Sequence, residues 1–259
     1  MKILIINHKR FSRFLLVGVI GVALLSLLIT AGHFVVIKSI DVINKNLVLP
    51  IYSVETDKNL VSITFDCAWG AGDIPTILEI LKKENVKASF FMVGLWGEKH
   101  PDAVKLIANE GHDVGNHGYS HLRMSTIGKE KCRTEIEICN QKLGEISGKK
   151  VELFRPPYGD YNNTVIETCN ELGCYPIQWN VDSLDWKKEK SKQAILDRII
   201  KKTKSGAIIL FHNDTQYTVE LLPQIISELK AKGLNFVPVS ELIMRGNFYI
   251  DDQGRQQKK

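Results

Sequence analysis

From residue 60 onward, short apolar runs alternate with amphipathic stretches, and this alternation narrows the choice of fold more than any other feature. Residues 60–65, 88–93, 112–115, 151–154, 175–181, 207–211 and 236–239 read as buried strands. Between them, 74–84, 101–109, 129–146, 163–172, 191–203 and 219–232 repeat their apolar residues at helical period, as Ile77, Leu78 and Leu81 do in the first. Strand–helix alternation of this kind predicts an α/β fold with a parallel sheet of about seven strands, open or rolled into a barrel.

Composition bounds the rest. The chain has 259 residues, 44% of them hydrophobic, which fills one domain of about 200 residues. Its net charge is +5, but Lys and Arg are interleaved with Glu, so the surface is solvated and carries no nucleic-acid footprint. Five cysteines (Cys67, Cys132, Cys139, Cys169, Cys174) are too few and too odd in number for a disulfide framework; Cys132 and Cys139 sit seven apart in a helical pattern and read as core residues.

The N-terminus differs from the rest. Residues 1–13 carry Lys2, Lys9, Arg10 and Arg13, and 14–37 hold no Asp, Glu, Lys or Arg. About 20 apolar residues span a bilayer, and flanking basic residues stay on the cytoplasmic side. The expectation is a cytoplasmic basic segment at 1–13, a single-pass anchor at 14–37, a connector at 38–57, a globular domain at 58–243 outside the membrane and a frayed polar tail at 244–259. A cleaved signal peptide ending near Thr30-Ala31-Gly32 is the alternative, and would give a secreted form.

Five ionisable residues follow predicted strands: Asp66, His117, Arg155, Asp182 and His212. Parallel strands point one way, so these side chains collect at the carboxyl rim of the sheet, where α/β active sites form. The residue types suit metal-assisted hydrolysis. His117 and His121, three residues between them, can face one cation, and zinc, cobalt or nickel all accept imidazole. A bound cation acidifies water, Asp66 takes a proton from it, and His212 protonates the leaving group. Arg155 and Asp182 are expected to form an ion pair that orients the base.

The segments Thr64-Phe65-Asp66, Asn116-His117-Gly118-Tyr119-Ser120-His121, Arg155-Pro156-Pro157-Tyr158-Gly159, Asp182-Ser183-Leu184-Asp185-Trp186 and Ile209-Leu210-Phe211-His212 resemble, in order, the five motifs of the polysaccharide deacetylases with a NodB-homology domain, carbohydrate esterase family 4. The resemblance covers residues 58–243. It implies a distorted (β/α) barrel of about seven parallel strands and removal of acetyl groups from N-acetylated sugars, with Asp66 as base, His117 and His121 as metal ligands and His212 as acid. It further implies that Arg155 and Asp182 tune the base and that the Tyr158 backbone N–H holds the oxyanion. Pro156, Tyr158, Leu210 and Trp186 would line the substrate pocket, with Trp186 packed beside the acid.

The first motif departs from the family. A second Asp, the third metal ligand, is usual there, and Cys67 stands in its place. A Cys67 thiolate, Asp73 reaching back from the next helix, or water are the three substitutes; Asp73 is taken first. The Asp-Cys-Ala-Trp-Gly variant is similar to a sporulation-associated (PdaB-like) bacterial subgroup, which with the anchor points to peptidoglycan of the wall or spore cortex and to a monomer acting there. O-deacetylation of a polysaccharide such as xylan, deacetylation of chito-oligosaccharides, and a degenerate glycan-binding module are the other readings.

Overall fold

The computed structural model describes Ser26, Ile29, Thr30 and residues 47–259. The chain divides into two compact units, Met1–Leu47 and Val48–Lys259. In the first, Ser26, Ile29 and Thr30 are helical, and the Thr30 hydroxyl donates to the Ser26 carbonyl at 3.0 Å. The rest of the expected anchor at 14–37, and the basic segment before it, lie outside the described residues. Among the described residues no helix is long and apolar enough to cross a membrane.

The second unit is the α/β domain. Its central strand, β2 (Leu60–Cys67), has β3 (Ser89–Met92) on one side and β8 (Ile208–His212) on the other. β4 (Asp113–Asn116), β5 (Leu153–Phe154) and β6 (Tyr175–Pro176) continue beyond β3, β7 (Val181–Asp182) pairs with β8, and β9 (Asn235–Phe236) adds to the start of β2. Every pairing in this sheet is parallel.

The expected single strand at 175–181 is in fact two, β6 and β7, at opposite ends of the seven-strand path. Only residues 177–180 join them, at most about 18 Å of extended chain. Seven flat strands would span about 29 Å at the usual spacing. The sheet therefore curls into an incomplete barrel, open between β6 and β7.

Side-chain alternation along β2 divides the domain. Val61, Ile63, Phe65 and Cys67 face outward into the main core, while Ser62, Thr64 and Asp66 face the barrel interior. Outside, Phe65 stacks on Phe90 with ring centroids 4.8 Å apart. Against this layer pack α1 (Ile74–Lys83), α3 (Pro101–Asn109), α4 (Lys129–Ser147) and α7 (Thr218–Ala231) through buried residues such as Ile77, Leu81, Ile107, Leu143, Leu222 and Ile226. α2 (Gly94–Lys99), between β3 and α3, carries too little apolar period to be read from sequence. Two further helices start where the sequence caps them: Asn162 accepts from Val165 N–H at 3.0 Å ahead of α5 (Asn163–Glu171), and Ser191 from Ala194 N–H at 3.2 Å ahead of α6 (Lys192–Lys202).

Both ends of the domain extend past the predicted limits. Ile51 and Val54 of the expected connector are buried in a second core cluster. The tail is not frayed: β10 (Phe248–Ile250) and β11 (Arg255–Lys258) form a hairpin, and β11 pairs in parallel with β1 (Ser53–Val54). Gln256, fully buried, donates to the Met244 carbonyl and accepts from Met244 N–H, both at 2.8 Å. Polar residues form a strand here because an amide pair replaces apolar contact, a device hydropathy does not register.

Candidate active site

The carboxyl ends of β2, β4, β5 and β8 bring Asp66, His117, His121, Arg155 and His212 into one basin. Asp66 sits near the carboxyl end of β2, in register with His212 of β8 and Phe91 of β3. It is buried, and burial alone would raise its carboxyl; the Arg155 guanidinium, then His117 and His212, outweigh this and hold it below the ordinary carboxylate range.

Arg155 is fully buried and grips Asp66 directly. Its Nη1 donates to Asp66 Oδ1 at 2.6 Å and to Thr64 Oγ1 at 2.9 Å, and its Nη2 donates to the Gln178 carbonyl at 3.1 Å. The guanidinium lies 3.9 Å over the Phe91 ring. The expected ion pair between Arg155 and Asp182 is therefore corrected: the arginine orients the base itself. Asp182 instead accepts from Leu184 N–H at 2.8 Å, and its carbonyl takes Arg198 Nε at 2.6 Å. Burial raises its carboxyl pKa.

His117 Nδ1 lies 2.8 Å from the Arg155 carbonyl, an acceptor, so Nδ1 carries the proton and Nε2 keeps its lone pair. That Nε2 is 3.5 Å from Asp66 Oδ2. Burial lowers the pKa of His117, and lowers that of His121 to about 4 with the neighbouring His117 adding to it. Two neutral imidazoles result. Their loop is fixed from α4, where buried Glu135 accepts from Ser120 N–H at 2.8 Å and Ser120 Oγ at 2.6 Å. Asn116 locks the strand exit, accepting from Gly118 N–H at 2.7 Å while its amide donates to Ile136 O and Asn140 Oδ1.

The family resemblance implies a divalent cation, and the histidine pair fits one. The ring centroids are 5.1 Å apart, and two imidazoles bound to one cation at about 2.1 Å put theirs no more than about 6.4 Å apart. Among the described residues no group of three or more His, Cys, Asp and Glu side chains converges as a metal cluster. Asp73 is not brought to the histidines: its Oδ2 accepts from Asp214 N–H at 2.7 Å, and Oδ1 is buried without a hydrogen-bond partner. Nor does it cap α1. Cys67 is on the core face of β2, and burial, with Asp66 and Asp73 nearby, raises its thiol well above the ordinary value. A neutral thiol turned into the core is no ligand.

His212 has the opposite electrostatics. Burial opposes its charge, but Asp185 wins, and the imidazole pKa is raised. Asp185 Oδ1 lies 2.9 Å from His212 Nδ1, and Oδ2 accepts His212 N–H at 2.8 Å and Thr218 Oγ1 at 2.6 Å. Sequence reasoning assigned the second carboxylate of this motif, Asp185, no role. Leu184 adopts φ 61° between the two and turns the chain so that Asp185 faces the acid. Trp186, expected beside the acid, instead lies exposed with Lys187 Nζ 5.0 Å over its ring. The indole next to His212 is Trp69, its centroid 5.7 Å away. Leu210, two residues before the acid on the same strand face, is buried.

Tyr158 lies between Pro157 and Gly159 in a short 3-10 turn with φ 60°, and the hydrogen bonds of that turn begin at Gly159 N–H, which donates to the Pro156 carbonyl at 3.1 Å. The phenol ring packs 4.5 Å from His121, and the side chain is 57% exposed. His121, Tyr158, Leu184 and Asp214 all have positive φ. These four of the seven non-glycine positive-φ residues among the described residues lie around the basin, each at a backbone cost of about 1–3 kcal/mol.

The chain is similar to known proteins in sequence and fold. A family model, polysaccharide deacetylase, matches residues 53–177. The chain is 36% identical over 197 residues to a peptidoglycan-N-acetylglucosamine deacetylase of Bacillus cereus, covering 74% of this chain and 92% of that one. It is 34% identical over 194 residues to the uncharacterized protein YlxY of Bacillus subtilis, spanning 75% of this chain but 60% of YlxY. Among solved structures it resembles BA3943 of Bacillus anthracis, a CE4 family pseudoenzyme, with TM-score 0.72 and 35% identity over 74% of this chain and 68% of that one. A BA3943 mutant with restored enzymatic activity matches with the same TM-score, 0.72, at 36% identity, over 74% of this chain and 70% of the mutant.

Proposed function

Because the chain belongs to the polysaccharide deacetylase family, we propose that it hydrolyses the acetamide of N-acetylhexosamine units in peptidoglycan, releasing acetate and leaving a free amine. The observation that carries this reading is a base and an acid on neighbouring, register-paired strands: Asp66, gripped by Arg155 and with its carboxyl pKa lowered, and His212, paired with Asp185 and with its imidazole pKa raised.

His117 and His121 would hold a divalent cation, zinc by their donor chemistry, and such a cation polarises the acyl oxygen and acidifies water. Asp66 takes the proton of the attacking water through Oδ2, the oxygen Arg155 leaves free. The new C–O bond makes a tetrahedral oxyanion, which the Tyr158 N–H stabilises. The C–N bond then breaks as His212 Nε2 gives its proton to the departing nitrogen, Asp185 keeping the ring oriented and charged. We place this domain outside the cytoplasmic membrane behind an anchor at 14–37, on the hydropathy and flanking charge of that segment. The sporulation setting rests on the Asp-Cys-Ala-Trp-Gly variant alone.

A second reading, glycan binding without turnover, is favoured by Cys67 turned into the core where the family usually supplies a carboxylate ligand. Acetate release from peptidoglycan fragments, with and without added zinc or cobalt, separates the two. Turnover that Asp66→Asn abolishes, with metal content unchanged, supports the deacetylase. Absence of release under every metal would leave only the binding module.

A further inference from the structure

Trp69 has no packing role that accounts for its exposure. It is 52% exposed, the most of the four tryptophans, yet the residue that follows it is firmly held. The next residue, Gly70, donates its N–H to Asp214 Oδ2 at 3.1 Å, and its carbonyl accepts Trp96 Nε1 at 3.1 Å and Asn213 Nδ2. A Cβ at 70 would meet Asp214 Oδ2 at 2.7 Å, so a larger residue would push the carboxylate off this hydrogen bond. The loop carrying Trp69 is thus bolted to the loop that follows the acid. Its indole is 5.7 Å from the His212 ring at 38° and leaves much of its surface to solvent.

An apolar surface held rigidly in water beside a reacting group is suited to stacking a ligand, since the entropy of ordering it is already spent. Which ligand follows from the chemistry. His212 must reach the departing nitrogen, so the sugar carbon bearing that nitrogen, and the pyranose ring with it, lies at the acid end of the basin. The acyl carbon and oxyanion lie at the other end, beside Tyr158. The two exposed aromatics of the basin are therefore not equivalent. We infer that Trp69 is the platform on which the hexosamine ring carrying the scissile acetamide stacks, a specificity-determining residue that orients the leaving nitrogen toward His212. The identification of the ring rests on the deacetylase reading; the stacking of a sugar does not.

The test is calorimetric titration of the full chain and its Trp69→Ala and Trp69→Phe variants with an N-acetylglucosamine pentamer, alongside acetate release. Trp69→Ala should weaken binding about tenfold, the worth of one stacked aromatic, and Trp69→Phe less than about threefold, because a smaller ring keeps the platform. In turnover the loss should fall on KM more than on kcat. Equal affinity of wild type and Trp69→Ala, both folded by circular dichroism, would overturn the proposal and leave the deacetylase reading untouched. Trp69-dependent binding without acetate release keeps the platform as a sugar site but removes the assignment to the scissile unit. A wild type that binds no glycan removes both.

Discussion

Replacing Asp185 by Asn removes the charge that keeps His212 protonated while preserving the shape of the side chain. In the wild type that carboxylate receives His212 N–H, His212 Nδ1–H and the Thr218 hydroxyl. A hydrogen bond to a charged group is worth about 1.5–3 kcal/mol net, so its loss lowers the protonated-to-neutral ratio of His212 by about 10- to 100-fold at a given pH. The acid limb of the reaction needs the protonated ring. Acetate release by Asp185→Asn should therefore fall about 10- to 100-fold on the alkaline side of the His212 titration, and its alkaline limb should move to lower pH. Imidazole NMR of His212 provides a readout independent of turnover. The linkage sign agrees: a raised folded pKa stabilises the fold fully below the ordinary imidazole value of about 6.5, and that gain is lost as pH rises through the folded value. Asp185→Asn should flatten this dependence in thermal melts. An unchanged alkaline limb together with an unchanged His212 titration would refute the assignment of Asp185 as the residue that charges the acid.

Other predictions concern the base and the core. Arg155→Ala leaves Asp66 buried without its partner and should cost about 3–5 kcal/mol of stability, read by urea denaturation, besides abolishing turnover. Cys67→Ala should lower stability by about 1 kcal/mol through the lost core contact while leaving zinc content by atomic absorption equal to wild type; a lower content would mean that the thiol does reach the metal. Asp73→Ala should likewise retain zinc. Deleting 245–259 should lower the melting temperature, because β11 pairs with β1 and buries Gln256.

Much of this molecule is legible in its sequence, for identifiable reasons. Strands and helices of the central layer are bounded by caps and by apolar period, and the carboxyl-rim rule places Asp66, His117, Arg155 and His212 together. What escapes is decided by single backbone angles and by pairing. Asp182 and Asp185 are three apart in one motif, and only the positive φ of Leu184 determines which of them faces His212. Trp69 and Trp186 each follow a strand exit, and the anchoring of Gly70, which involves loops 143 and 144 residues apart, selects the first. Cys67 reads as a replaced ligand until the alternation of β2 turns it outward. The hairpin β10–β11 is invisible to hydropathy because its strength lies in pairing with β1 and in the amide pair of Gln256 with Met244.

The register of β2 on β8 puts Asp66 directly opposite His212. The backbones that carry base and acid are thereby held at the repeat of a hydrogen-bond ladder, about 4.8 Å from strand to strand, and Asp185 then sets the ring of the acid. Substitutions at exposed positions around the basin, such as Trp186, can reshape what enters it without moving the two strands that carry base and acid. On such a frame the strand pairing conserves where base and acid stand, while the exposed rim around them is the part that can vary.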